Sequence, residues 1–495
     1  MSYNSIGTYT ATSRIPEFRG LMQYGDGIGA DPRYALEAVN AVTTGGVLQP
    51  LGVPASLPGN PLTSPIDTLM CLHRRWYALD KDLLVAYSGG KLWARTYARD
   101  TWAELEMPEG MDTFTGSSWS WVTYEINPEG SPAPVDVLLI SNAEDGMFML
   151  RGDNLTITAV DAPKHFGVIE RYAERIWGAA VPDDPDMLVY SAPFDPTNWE
   201  AQIEIPEDGA GDILQPSWDG DSFTALKSFG SQMIAFKKSR VWRVLGTNPG
   251  EYTMKEQYGG GAPFAATIAV DTERIFMLTE RGVAVYDGAA VSPFYREYAQ
   301  GVFRRMNLDA LDGAVACIWR DTYYCAIPID GSATNNAVLC YNTAENTWLL
   351  HTAVSVSAFL PTEEKLLFTS PEAPCLVKVW TEDCWLDQTA VAPLRWVSPW
   401  NDLGAKDVVK GGFEVYLLPE ANAPVTLKIS MQTEKKLKTK RYTVQVPKAG
   451  RLAKAKRIHF GGSGRRFRLI IEADGGDVPW RLISGVTIVS ETDPD

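Results

Sequence analysis

Apolar positions in this chain come in short runs divided by clusters of Gly, Pro, Asn, Asp and Ser. The texture sets in near Leu72. Residues 83–87 and 91–97 flank Ser88-Gly89-Gly90, and in the second run Lys91, Trp93 and Arg95 alternate with Leu92, Ala94 and Thr96. A Gly-Gly between two alternating runs predicts a β-hairpin. The pattern then recurs in groups of about four short strands: 119–126, 135–141, 146–150 and 155–160; then 168–169, 175–180, 187–191 and 199. Further groups follow at 225–256, 265–294 and 315–351, with a shorter one at 354–380. Four-stranded groups repeating every ~40–60 residues predict a β-propeller of six or seven blades, with two large β-sandwiches as the rival. No blade consensus recurs, and Trp218-Asp219 occurs once.

Beyond Trp400 this register is lost. Runs at 412–418, 425–432, 440–446, 457–460, 466–473 and 482–489 predict longer strands of a separate C-terminal β-sandwich spanning 395–495. The first 65 residues hold many turn formers and no strong period. They are expected to form an arm with one short helix at 30–41, for which Asp31 supplies an N-cap and Pro32 the first turn. A second short helix is expected at 297–306. The propeller is placed at 66–394, and the whole is read as all-β.

Composition agrees. Of 495 residues 45% are hydrophobic, which excludes global disorder, and 16 Trp, 20 Tyr and 17 Phe suit pleated surfaces. Trp76, Trp93, Trp242 and Trp348 fall inside strand runs and are expected to pack blades. No apolar run approaches the ~20 residues of a membrane helix. The first 19 residues are polar, and no secretory signal is read from them. The six cysteines, Cys71, Cys317, Cys325, Cys340, Cys375 and Cys384, include no CxxC pair. They are read as reduced, mostly buried thiols, as in a reducing cytoplasm.

Charge changes the picture more. Residues 395–495 carry 18 Lys+Arg against 11 Asp+Glu, a net of +7, which leaves −23 for the rest of a chain whose net is −16. Residues 428–468 hold 14 basic residues and one acid, Glu434. Within them Lys435, Lys436, Lys438, Lys440 and Arg441 form the densest run. On a strand Lys436, Lys438 and Lys440 share a face and Arg441 takes the other. Lys454, Lys456, Arg465, Arg466 and Arg468 extend the patch if their strands lie nearby. Three readings stay open: phosphate contacts to DNA, docking on an acidic protein surface that includes a neighbouring copy, and a strand edge guarded by lysine.

Catalytic patterns are absent. His73, His165, His351 and His459 lie far apart, and no GxSxG, HExxH or P-loop occurs. The acidic clusters at 183–186, 208–212 and 219–221 complete no calcium loop, and Gly259-Gly260-Gly261 lacks phosphate-loop spacing. Two glycosidase carboxylates on separate loops would leave no such signature, so a glycan-cleaving or glycan-binding propeller is the rival class. No enzyme activity, metal or cofactor is expected.

Several strings together resemble known proteins. Phe18-Arg19-Gly20-Leu21, Ala35 to Asn40 and Gly46-Val47-Leu48 resemble the opening of phage virion propellers. Glu174 to Ala179, Leu188 to Ser191 and Phe194-Asp195-Pro196-Thr197-Asn198-Trp199 resemble one of their blades. Tyr258 to Pro263 with Arg281-Gly282-Val283 and Tyr286-Asp287-Gly288 resemble the next. Phe413 to Leu418, Arg457, Arg465 to Ile471 and Ile483 to Val486 are similar to the end of the packaged-DNA stabilisation proteins, which form the tail nozzle or hub of short-tailed bacteriophages. The resemblance implies a non-catalytic, homo-oligomeric ring, typically a hexamer, in the virion tail and assembled in the bacterial cytoplasm. Portal and adaptor proteins would lie above it, with fibre or needle proteins around or below. Double-stranded DNA would pass without sequence-specific binding, and an acidic lumen wall would let it slide. A tail-tip or fibre-adaptor role in a longer tail is a further alternative. The basic residues are expected to dock on a protein neighbour rather than on the genome.

Overall fold

The structure, a computed structural model, describes residues 9–24, 27–75, 77, 81–97, 99–128, 133–214, 220–444 and 455–493. Trp76, Trp218-Asp219 and Lys454 lie outside them.

The described residues form seven four-stranded antiparallel blades. Their innermost strands are, in order, Ile66–His73, Ser120–Ile126, Val168–Tyr172, Phe223–Phe229, Ala269–Val270, Val315–Trp319 and Ala358–Pro361. Each blade is built of hairpins. In blade 2, for example, Val137 pairs with Tyr124 and Arg151, so one short strand satisfies its backbone on both sides. The ring is closed by side chains. Blades 1 and 2 share a core containing Leu72 and Leu138; blades 2 and 3 one containing Val137 and Ile176. Blades 3 and 4 share Trp177 and Leu226; blades 4 and 5 share Ile234 and Met277. A larger core runs through blades 5, 6 and 7, and Leu367 meets Leu84 where blade 7 returns to blade 1. The propeller therefore stands, with seven blades, and the two-sandwich alternative does not.

Blade 7 takes its outermost strand from the N-terminal segment. Ala55–Ser56 pairs with Ala373–Val379 through Ala55 to Val379 and Ser56 to Lys378. The rest of that segment is equally integrated. Glu37–Val39 lies between the outer strand of blade 6, Thr347–His351, and Leu394–Val397. It thereby joins blade 6 to the C-terminal sheet. From Leu394–Val397 that sheet continues through Phe467–Ala473 and Val425–Thr433 to Leu437–Val444, nine strands in all from the channel outward. A second sheet, Tyr9–Ile15, Val486–Asp493, Val409–Leu417 and Lys456–Gly464, covers its inner face. Phe413, Ile429, Phe460, Phe467 and Trp396 fill the space between them and belong to the same core as blade 6. Close backbone approach makes this possible. Leu21 donates its N–H to the Trp348 carbonyl at 2.7 Å, and a Cβ on Gly20 would sit 2.0 Å from that oxygen.

Four expectations need correction. The 1–65 segment is not an arm apart from the domains, because open sheet edges claim its strands. It also contains no helix at 30–41. Asp31 does cap a turn, accepting the Arg33 N–H at 3.0 Å, but the chain then extends. In Glu37–Val39 only Ala38 is fully buried, the period-two burial of a strand, and the pairing available on both sides outweighs helix propensity. Near 297–306 only Gln300–Phe303 is α-helical. The C-terminal sandwich exists, but it borrows Tyr9–Ile15 and shares a sheet with blade 6, so it is not separate.

Candidate docking surface and propeller channel

Leu437–Val444 is the last strand of the nine-stranded sheet, and no strand among the described residues pairs with its outer side. Its register sorts the basic residues. Lys438 lies opposite Met431 and Lys440 opposite Ile429, so both share the face that lines the sandwich core, while Arg441 lies opposite Lys428 on the other face. Met431 and Ile429 are buried but the two lysines are exposed, since they overhang the open seam between the sheets. The Lys440 ammonium sits 5.9 Å from the Phe460 ring centre, and Lys456 from the facing sheet sits 5.1 Å from that of Tyr442. Their alkyl stems thus cover aromatic surface and their charges meet water.

Lys435 and Lys436 occupy the preceding turn, which closes through the Thr433 N–H donating to the Lys436 carbonyl at 2.8 Å. Glu434 accepts the backbone N–H groups of Arg465 at 3.0 Å and Arg466 at 3.1 Å. Burial pushes the Glu434 carboxyl up, but these donors outweigh it and hold the group below its ordinary value. Arg466 is engaged with the same carboxylate at 3.5 Å. Arg468 is turned away: it stacks over Trp400 at 4.8 Å and donates to Gln432 at 2.9 Å. On the outer face Lys428 pairs with Asp474 at 2.7 Å, and Arg395 bridges Glu37 and Glu472. Lys435, Lys436, Lys438, Lys440, Arg441, Lys456 and Arg465 are exposed and form no ion pair among the described residues. The structure therefore spreads these seven along the edge formed by Leu437–Val444 and Lys456–Gly464, with Lys456 and Arg465 at opposite ends of the latter strand, and ties Arg466 and Arg468 into local contacts.

The innermost strands of the propeller also line a cavity. It has a volume of about 590 Å³ and is walled by residues including Trp121, Ile169, Ile268 and Ile318, with one ionic pair, Glu170 and Lys227 at 3.9 Å. Burial pushes the Glu170 carboxyl up and Lys227 opposes this. At one end a cavity of about 600 Å³ is walled by Trp121, Trp319, Arg320, His73 and Asp82. Such volumes hold a small molecule. His73 Nδ1 lies 2.7 Å from Asp82, and Cys71 shares that strand face. The His73–Asp82 pair escapes a motif search because cross-strand register supplies Asp82. Burial, with Asp82 adding, pushes the Cys71 thiol up to about 12, so it stays protonated near neutral pH and is a poor nucleophile. No group of His, Cys, Asp and Glu among the described residues is arranged to hold a metal ion.

The remaining cysteines are free thiols, and burial pushes Cys325 up to about 12 as well. Sequence reasoning overlooked two buried cations. Lys237, fully buried, pairs with Asp186 and donates to the Asp221 carbonyl at 2.7 Å. Arg175, 2% exposed, donates to the carbonyls of Ser191 at 2.8 Å, Gly209 at 2.5 Å and Glu207. An isolated cation in an apolar strand run was the available signal.

No family profile matches this chain, and no curated protein does. Among solved structures it is similar to BBS1N in complex with ARL6DN, at 9% identity and a TM-score of 0.41, covering 68% of this chain and 97% of that one. It is also similar to the Neurospora crassa Pan2 WD40 domain, at 10% identity and a TM-score of 0.36, covering 66% of this chain and 95% of that one. Likenesses this distant carry no argument about function; the propeller rests on the seven blades themselves.

Proposed function

We propose that this chain is a non-enzymatic structural protein of a tailed-bacteriophage virion. It forms a homo-oligomeric ring, typically of six copies, that serves as the tail nozzle or hub, retains the packaged genome and lets it leave on infection. The observation that carries the reading is the placement of charge. The unpaired cations stand on an edge strand at the tip of a sheet that grows out of blade 6, while the propeller carries the acidic excess. Opposite charge at separated ends of one subunit sets register between copies and speeds their encounter. The sequence resemblance supplies the virion context, with portal and adaptor proteins above and fibre or needle proteins around or below. In this reading DNA follows the axis of the ring formed by the copies, not the channel of a single propeller. The basic tip faces protein, because a nozzle gripping phosphates in every copy would hold the genome through a steep counterion-release affinity.

Mass photometry and negative-stain imaging of the purified protein, alone and with its portal and adaptor, test this. A closed ring with an axial opening that admits duplex DNA is expected. A protein that stays monomeric in both settings and is missing from purified tails would overturn the proposal.

The channel mouth favours one second reading. Trp121 and Trp319 beside Arg320 and the His73–Asp82 pair offer aromatic and polar surface of the kind that binds sugars. Release of sugar from host-surface polysaccharide, abolished by Trp319→Ala, would establish it in place of the structural role.

A further inference from the structure

The acidic excess has a focus. Residues 176–226 contain eleven Asp and Glu and no Lys, Arg or His. Within this stretch residues 200–208 leave blade 3 between its third strand, Met187–Tyr190, and its fourth, Gly211–Leu214, and every one of them is exposed. Glu200, Glu204, Glu207, Asp208 and Asp212 have no cation partner among the described residues, whereas Asp184 is paired with Lys164 and Asp186 with Lys237.

The same segment exposes apolar side chains that a monomer gains nothing by showing: Ile203 is 93% exposed and Ile205 55%. Its base is fixed. The Ala210 N–H donates to the Glu200 carbonyl at 2.9 Å, and buried Arg175 holds the carbonyls of Glu207 and Gly209. A Cβ on Gly209 would lie 2.3 Å from the Gln202 nitrogen, so the two limbs are in close contact. The finger is presented in one shape, which lowers the entropy cost of docking.

Blade 3 lies three blades from blade 6 in a ring of seven, close to half a turn away. The nine-stranded sheet carries the basic edge roughly 40 Å from the channel wall at ~4.8 Å per strand. The acidic finger and the basic edge are therefore at opposite ends of the subunit, and the edge too exposes an apolar side chain, Leu437, at 57%. We propose that the 200–208 finger of one copy docks on the Leu437–Val444 edge of the next, a head-to-tail contact between two different surfaces of the same chain. Such contacts form a ring when the rotation closes. The inference rests on the ring reading above and names its interface. Ile203 and Ile205 would be covered against Leu437 and the lysine stems, with Glu204 and Glu207 facing Lys438 and Lys440.

Charge exchange between copies tests it. One full-length variant carries Lys436→Glu, Lys438→Glu and Lys440→Glu; the other carries Glu200→Lys, Glu204→Lys and Glu207→Lys. All six side chains are exposed and unpaired, so folding, checked by circular dichroism, is unaffected. In sedimentation velocity at low salt each variant alone should self-associate at least ~10-fold more weakly than wild type. An equimolar mixture should regain assembly, since each altered face then meets its complement in the other variant and each native face meets a native one. Variants that each assemble like wild type would overturn this interface and leave the ring reading standing. Folded variants that fail alone and also fail when mixed would overturn the pairing of these two faces. A wild-type protein that remains at its 54.5 kDa monomer mass at every concentration would overturn the ring itself.

Discussion

Replacing Arg175 with Met removes a guanidinium while keeping much of the volume, and the structure sets what this costs. Three carbonyls lose a charged donor: Ser191, Gly209 and Glu207. Glu207 is exposed, so its carbonyl turns to water at little cost, but Ser191 and Gly209 are buried. Each stranded acceptor costs about 1–3 kcal/mol, and the lost bonds were of the stronger, charge-assisted kind. Relief of the desolvation that Arg175 bore offsets part of this, as does retained packing of the Met side chain against Tyr190, whose ring centre lies 5.3 Å from the guanidinium carbon. A net loss of about 3 kcal/mol is expected, concentrated in blade 3. A chain this long need not unfold in two states, so hydrogen exchange on the native protein is the direct assay. Amides at 209–211 in Arg175→Met should exchange about 100-fold faster, while blade 6 amides such as those of 323–326 stay at wild-type rates. If 209–211 exchanged as in wild type, Arg175 would not be the clamp of the acidic finger. If all blades loosened equally, the effect would be global and the local account wrong.

Three further outcomes follow from two buried groups and one close backbone approach. Asp186→Ala should cost about 3–5 kcal/mol because it strands the buried Lys237 ammonium, whereas Lys237→Met, which keeps the stem against Phe223, should cost less than about 2 kcal/mol; the reverse order in urea melts would refute the burial argument. His351, buried against Trp380, is pushed by desolvation to a pKa of about 3, so it folds neutral while the unfolded chain takes up protons below about 6.5. Its contribution is present above that value and is lost as pH falls towards 3. Between pH 7 and pH 5 wild type should lose about 2 kcal/mol more than His351→Phe; burial raises Glu170 and Glu382, whose effects run the other way, and the comparison of the two proteins cancels them. Equal losses in both would refute it. Gly485→Ala would place a Cβ 1.6 Å from the Ile15 carbonyl oxygen, where Tyr9–Ile15 joins Val486–Asp493. A loss of about 3 kcal/mol or more is expected, and an unchanged melting temperature would mean that the N-terminal strand does not pair there.

Local pattern determined the class of this protein. Hairpins such as 83–87 with 91–97 need only period-two alternation and a Gly-Gly turn, and their repetition made the propeller legible before any contact was known. The basic run was equally legible, as was the alternation of Lys438 and Lys440 against Arg441, because alternation along a strand is a property of the backbone; Lys436, expected on the same face, instead lies in the turn before the strand, which begins at Leu437. What tertiary structure alone decided is where distant strands go. Nothing in Ala55–Ser56 says that it finishes blade 7, and nothing in Glu37–Val39 says that it joins blade 6 to the C-terminal sheet, since both pairings answer open edges that form more than 300 residues away in sequence. For the same reason the helix expected at 30–41 became a strand. Charge counting found an acidic majority, but that residues 200–208 stand out as a finger opposite the basic edge depends on blade order and on one buried arginine. Backbone hydrogen bonding is local in a hairpin and can be read along the chain; edge pairing and the burial of an isolated cation are settled only when the remote partner is in place.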